Sequence, residues 1–297
     1  MISEILDHYM QYSMYTCPGL YKSRLVKKLP NDILEIGHLV RKSIIHRTTL
    51  LGGNTGTNSD LRFGDMMRVP WWCQPEDDIL VTVSAMLSEL YRRDARGFVL
   101  DRAPEDKLIL TCRFIAILMA SILKSKGMPA RVRAGHAPYF DTGDISLSVD
   151  HWITQYWCIH RKDWVTIDVD GSLSIKGTFD PYDIPVGEFD FAADAWLSIR
   201  ESKVDPEYFY NAYPMRGAIT VLWSLFYDFH CLMNSEIIYL HKPVCGDNEK
   251  FYSLTEDDLN KIDELAKLML DPDANFYELC NLWNQKKDYR ILCGGLL

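Results

Sequence analysis

Between residues 111 and 168 the spacing of hydrophobic and polar positions changes from a helical to a strand-like pattern. From Phe114 to Leu123 the chain is apolar nearly all round: Phe114, Ile115, Ile117, Leu118, Met119, Ile122 and Leu123 are separated only by Ala116, Ala120 and Ser121. A surface helix shows a single apolar stripe, so this run predicts a helix buried on most sides. Gly127 stands where a closing residue belongs, with Pro129 just beyond and Lys124 and Lys126 in the last turn. The period then shortens. Residues 130–136 alternate and predict a strand, residues 152–159 are β-branched and aromatic and predict a second, and Trp164 to Asp168 predicts a third. The polar run His160-Arg161-Lys162-Asp163 makes the last two a hairpin.

Outside this stretch the pattern is helical. Helices are predicted over residues 32–49 and 76–94, with an exposed loop at 54–59 between them. Further helices are predicted over 190–202, 215–233 (long and apolar), 255–270 (amphipathic) and 275–285. No repeat, low-complexity tract or long flexible linker interrupts them. The expectation is a single α+β domain over 1–297: a helical part of about 1–100, a core of about 101–180 with an antiparallel sheet packed on the cysteine-bearing helix, and a helical part over 181–297.

Composition narrows the function classes. Hydrophobic residues make up 47% and charged ones 25%, as expected of a globular protein, and the net charge of −9 with no basic stripe argues against a nucleic-acid partner. No run approaches the roughly 18 apolar residues of a membrane helix, so no membrane partner is expected. The first eight residues carry acids and no basic segment, unlike a secretory signal. The eight cysteines contain no C-x-x-C pair, which excludes the usual zinc spacings and points to reduced thiols in a cytosol. Neither a metal nor a cofactor is expected.

The chemistry concentrates on three residues. Cys112 opens the buried helix, where unpaired N–H groups and the macrodipole favour a thiolate and can stabilise an oxyanion. His151 starts the second strand and Asp168 ends the third, so a hairpin can bring imidazole and carboxylate alongside each other and complete a Cys-His-Asp triad. Each has a plainer reading alone: Cys112 as a small buried hydrophobe, His151 as a satisfied polar residue, Asp168 as a turn residue. Asp170 competes with Asp168, but Asp170-Gly171 reads as a turn. Asp150 faces away from His151 by strand alternation. Arg131 and Arg133 read as internal ion-pair residues before they read as binders of a substrate carboxylate, His136 as structural before substrate-contacting, and Trp71-Trp72-Cys73 as an aromatic anchor.

The order of Cys112 at a buried helix start, Gly127-Met128-Pro129-Ala130-Arg131, His151 with Trp157, and Trp164 with Asp168 resembles the transglutaminase-like superfamily of papain-type folds. Ala137-Pro138-Tyr139-Phe140, Asp150-His151-Trp152, Met215-Arg216-Gly217, Thr16-Cys17-Pro18-Gly19 and Leu29-Pro30 are similar to a group of bacterial proteins with this domain, which extends the resemblance over most of the chain. Gln155 and Leu110-Thr111 depart from that pattern without touching the triad. The resemblance implies a papain-like core and acyl transfer on the amide bond of a peptide or protein: Cys112 as nucleophile, His151 as base and then acid, Asp168 as orienting group. Because no β-sandwich domains or calcium loops accompany the core, hydrolysis by a peptidase or deamidase is expected ahead of crosslinking. The alternative is a catalytically silent module that binds a peptide or protein partner in the same cleft.

Overall fold

The computed structural model describes residues 2–47, 76–140, 147–171, 179–211 and 215–293. In chain order its helices are α1 (Ile2–Met10), α2 (Lys22–Lys28), α3 (Ile33–Lys42), α4 (Glu76–Ile79), α5 (Val83–Arg93), α6 (Cys112–Ser125), α7 (Ala192–Arg200), α8 (Ala218–Leu232), α9 (Asn248–Phe251), α10 (Glu256–Leu270) and α11 (Phe276–Gln285). Its strands are β1 (Ile44–His46), β2 (Leu108–Leu110), β3 (Ala130–Ala137), β4 (Ser148–Cys158), β5 (Asp163–Ile167), β6 (Asp190–Phe191), β7 (Phe209–Tyr210), β8 (Lys242–Pro243) and β9 (Leu292–Cys293). The chain is therefore a mixture of helix and sheet. The expected loop at 54–59 and Trp71-Trp72-Cys73 lie outside the described residues.

Contacts divide the chain into two compact units: Tyr9–Val132 with Ile153–Pro185, and Met1–His8 with Arg133–Trp152 and Val186–Leu297. In the first unit α6 is the centrepiece. Every one of its residues is buried, as the all-round apolar pattern requires. It stops where Gly127 takes φ +83°. The N–H of Gly127 reaches the carbonyl of Lys124 at 3.1 Å and that of Met128 reaches Leu123 at 3.0 Å, the double closure of a Schellman motif. The sheet of this unit is ordered β5-β4-β3, with β4 and β5 antiparallel from Thr154↔Ile167 to Cys158↔Asp163. Thr154 fastens it to the helix by donating to the carbonyl of Ala116 at 3.1 Å.

Two predicted helices are interrupted here. The one expected over 32–49 ends at Lys42, and the β-branched pair Ile44-Ile45 continues as β1, parallel to β2 in the register His46↔Leu110. The one expected over 76–94 is two helices, because Thr82 is extended and its hydroxyl caps the second by accepting the N–H of Ala85 at 3.2 Å.

In the second unit β3 pairs antiparallel with β6 (Gly135↔Phe191, His136↔Asp190) and β4 pairs parallel with β7. A Cβ on Gly135 would lie 2.2 Å from the carbonyl oxygen of Asp190, so only glycine lets the two strands approach. The apolar α8 carries one buried carboxylate, Asp228, which accepts from both Arg133 nitrogens Nε and Nη2 at 2.8 Å and from the N–H of Ala134 at 2.9 Å. Nearby, Trp196 of α7 donates its indole N–H to Asp263 of α10 at 2.7 Å. A capping box between Thr255 and Asp258 starts α10, at the place the sequence pattern marks.

Candidate active site

Cys112 is the first residue of α6 and is 7% exposed. The residue before it, Thr111, is extended (φ −106°, ψ 177°) and contributes no side-chain cap, so the first turn of the helix is presented to the thiol without a competing hydroxyl. The macrodipole of a 14-residue helix then favours the thiolate at this end. The sequence pattern locates this feature correctly to the residue.

Asp168 belongs to the same compact unit. It follows the last residue of β5, is buried, and is held by its backbone N–H donating to Pro181 at 2.8 Å. One carboxylate oxygen accepts the N–H of Gly171 at 2.7 Å, the local turn expected around Asp170-Gly171. The carboxylate is felt by Tyr182, whose hydroxyl is pushed up to about 12, chiefly by burial, with Arg41 opposing and Asp168 adding to the rise. Tyr182 packs closely against α3: a Cβ on Gly37 would fall 2.2 Å from its hydroxyl oxygen.

His151 lies on β4 and belongs to the other unit. It is buried, and its ring meets Phe140 edge-on at 4.8 Å. The half-buried Asp150 precedes it on the strand.

The remaining candidates sort by their partners. Arg133 is internal, locked on Asp228. Arg131 is internal too: its Nε donates to Gln155 at 2.8 Å and its guanidinium lies 4.1 Å from the Trp164 ring centroid, which gives Gln155 a structural task in turn. His136 has no exposure, packs on Phe209 at 5.0 Å, and has no hydrogen-bond partner for either ring nitrogen among the described residues. Burial alone pushes it down to about 3, so it is neutral and structural. Among the described residues no group of three His, Cys, Asp or Glu side chains is placed to hold a metal ion.

One pair was not singled out by sequence reasoning. Asp170 is buried and its carboxylate lies 3.3 Å from Nε2 of His46, at the end of β1. The sequence signal is Ile44-Ile45-His46, a β-branched pair ending in histidine, but it sits inside a segment with helical spacing.

No family model and no curated protein matches the chain. A solved structure similar to it is that of a "putative cysteine protease" from Cytophaga hutchinsonii, with a TM-score of 0.32 and 14% sequence identity over 63% of this chain. The match spans about half, 47%, of that neighbour's length. No helix among the described residues is long and apolar enough to cross a membrane.

Proposed function

We propose that the protein is a cysteine-dependent hydrolase of amide bonds in peptides or proteins, with Cys112 as the nucleophile. The observation that carries this reading is the position of Cys112 as the first residue of a helix buried along its whole length, a place that favours an ionised sulfur and supplies N–H groups to a developing oxyanion. The other roles follow from the order of residues in the sequence: His151 as base and then acid, Asp168 as the group that orients the imidazole. In this scheme the sulfur attacks the amide carbonyl, the imidazolium gives its proton to the departing amine, and a thioester remains. Water then gives a proton to the imidazole as it attacks, and the acid leaves with the thiol restored. Deamidation of a glutamine side chain and cleavage of a peptide bond share this chemistry, and transfer to an amine would replace water in the second half.

The second reading is a silent module that binds a peptide. It draws on the burial of all three side chains, since a nucleophile 7% exposed has to be reached by substrate through a narrow approach. Brief haloacetamide labelling at pH 6 followed by mass spectrometry separates the two. A catalyst labels at Cys112 ahead of the exposed Cys17, while even labelling across the cysteines supports the binding module. Cys112→Ala should abolish acyl-enzyme formation and leave the fold intact. Asp168→Asn should lower the rate on the order of a thousandfold by loss of the imposed tautomer. Activity that survives Cys112→Ala would refute the nucleophile.

A further inference from the structure

We propose that the His46–Asp170 pair is a positioning dyad for Cys112, its imidazolium acting as the resting counter-charge of the thiolate. This rests on the reading of Cys112 as the nucleophile and adds a residue to it. The three side chains belong to one compact unit, and backbone geometry sets their spacing. β1 and β2 are parallel with His46 opposite Leu110. Thr111 continues the extended chain, so Cys112 follows Leu110 by two extended steps. Residues two apart in extended chain face the same side, and paired residues of adjacent strands do as well. With strands about 4.8 Å apart and a two-residue rise of about 6.6 Å, the Cα atoms of His46 and Cys112 are roughly 8 Å apart. An imidazole and a thiol projecting from the same side span that separation.

The partner on the far side of the ring is what makes the imidazole useful. Asp170 at 3.3 Å from Nε2 favours the imidazolium. Around the dyad, Asp77 of α4 is electrostatically linked to His46. Burial raises the carboxyl of Asp77, and Arg47, 2.7 Å away, opposes that rise. Arg47 also lies 3.6 Å from Asp78. From α3 comes the buried Arg41, which with Asp168 acts on Tyr182. His46 neither gives nor takes a proton in the reaction: the proton of Cys112 goes to His151, and His46 remains charged against Asp170.

The test is the pH profile of Cys112 alkylation, read by mass spectrometry against Cys17 in the same molecule. His46→Gln, which keeps a donor toward Asp170, should slow alkylation at pH 6 by about tenfold while leaving it unchanged at pH 9, equivalent to one unit of thiol pKa. Asp170→Asn should move the profile the same way by less, and serves as the second variant should His46→Gln not fold. A merely structural role would lower the melting temperature without moving the profile. Profiles of both variants superimposed on that of the unaltered protein, with Cys112 still the fastest thiol, would overturn the dyad and leave the hydrolase reading standing. Alkylation of Cys112 no faster than Cys17 in the unaltered protein would overturn both.

Discussion

The surroundings of His46 and of His136 differ in one respect. Both imidazoles are buried on strands, but His46 has the Asp170 carboxylate at 3.3 Å, whereas His136 has an aromatic ring and, among the described residues, no partner for either nitrogen. Apolar surroundings disfavour the charged form and a carboxylate favours it. Burial alone therefore removes a histidine from acid–base chemistry, and burial with a carboxylate keeps it available. For this reason His136, a candidate by its place one strand from the proposed triad, is structural, while His46 keeps a carboxylate partner that favours its charged form.

The same contrast between partnered and unpartnered buried groups orders the expected effects of mutation. The largest should come from removing a partner. Asp228→Ala leaves the buried Arg133 guanidinium without its two-point carboxylate, a loss of about 3–5 kcal/mol in a denaturant titration. A loss much smaller than this would show that the guanidinium finds another acceptor. Next comes the acid limb of stability. The unfolded imidazole of His136 titrates near its ordinary value of 6.5 and the folded one near 3, so below pH 6.5 the unfolded chain takes up a proton that the folded one refuses. Stability from this group is complete above pH 6.5 and declines as the pH falls toward 3, by about 2–3 kcal/mol at pH 4.5. His136→Phe should remove that part of the decline. His230, pushed down to about 4 mainly by burial, contributes to the same limb in both proteins. Equal acid losses with and without His136 would place the titrating group elsewhere.

Smaller effects are expected where strain is local. Gly127→Val places a β-branched residue at φ +83° with nothing within 4 Å of its Cβ, so only backbone strain opposes it, about 1–2 kcal/mol. Thermal melts of the two proteins measure this directly. At the low end, Arg161 and Asp183 form a two-point pair at 2.7 Å on the surface. Arg161→Ala should leave the melting temperature unchanged at moderate salt, because water and ions replace the contact.

The central helix was legible because its evidence is local: a nearly continuous apolar run, a cysteine at its head, and a glycine in the one conformation that stops it. The hairpin β4–β5 was legible for the same reason, its strands being joined by four exposed residues, Ile159 to Lys162. The strand β1 was not. Nothing between Lys42 and Ser43 breaks the helical spacing, and Ile44 to His46 take strand form by pairing with Leu108 to Leu110, a partner more than sixty residues away that no local pattern announces. The break at Thr82 was hidden similarly, since a capping threonine looks like any helix threonine until its neighbours are placed. Of the candidate site, Cys112 at a helix start could be read from spacing, whereas the pairing of Asp170 with His46 depends on the unannounced strand.

The complete burial of α6 has a kinetic consequence. Amide protons exchange with solvent through local openings, and a helix packed on every side has none available short of losing its surroundings. Its N–H groups should therefore be among the slowest to exchange in their unit, limited by unfolding of that unit as a whole. Cys112, at the head of this helix, is thus attached to the segment with the least freedom to fray. Whatever must move to admit a substrate, the sulfur and the backbone beneath it are the fixed point against which that motion occurs.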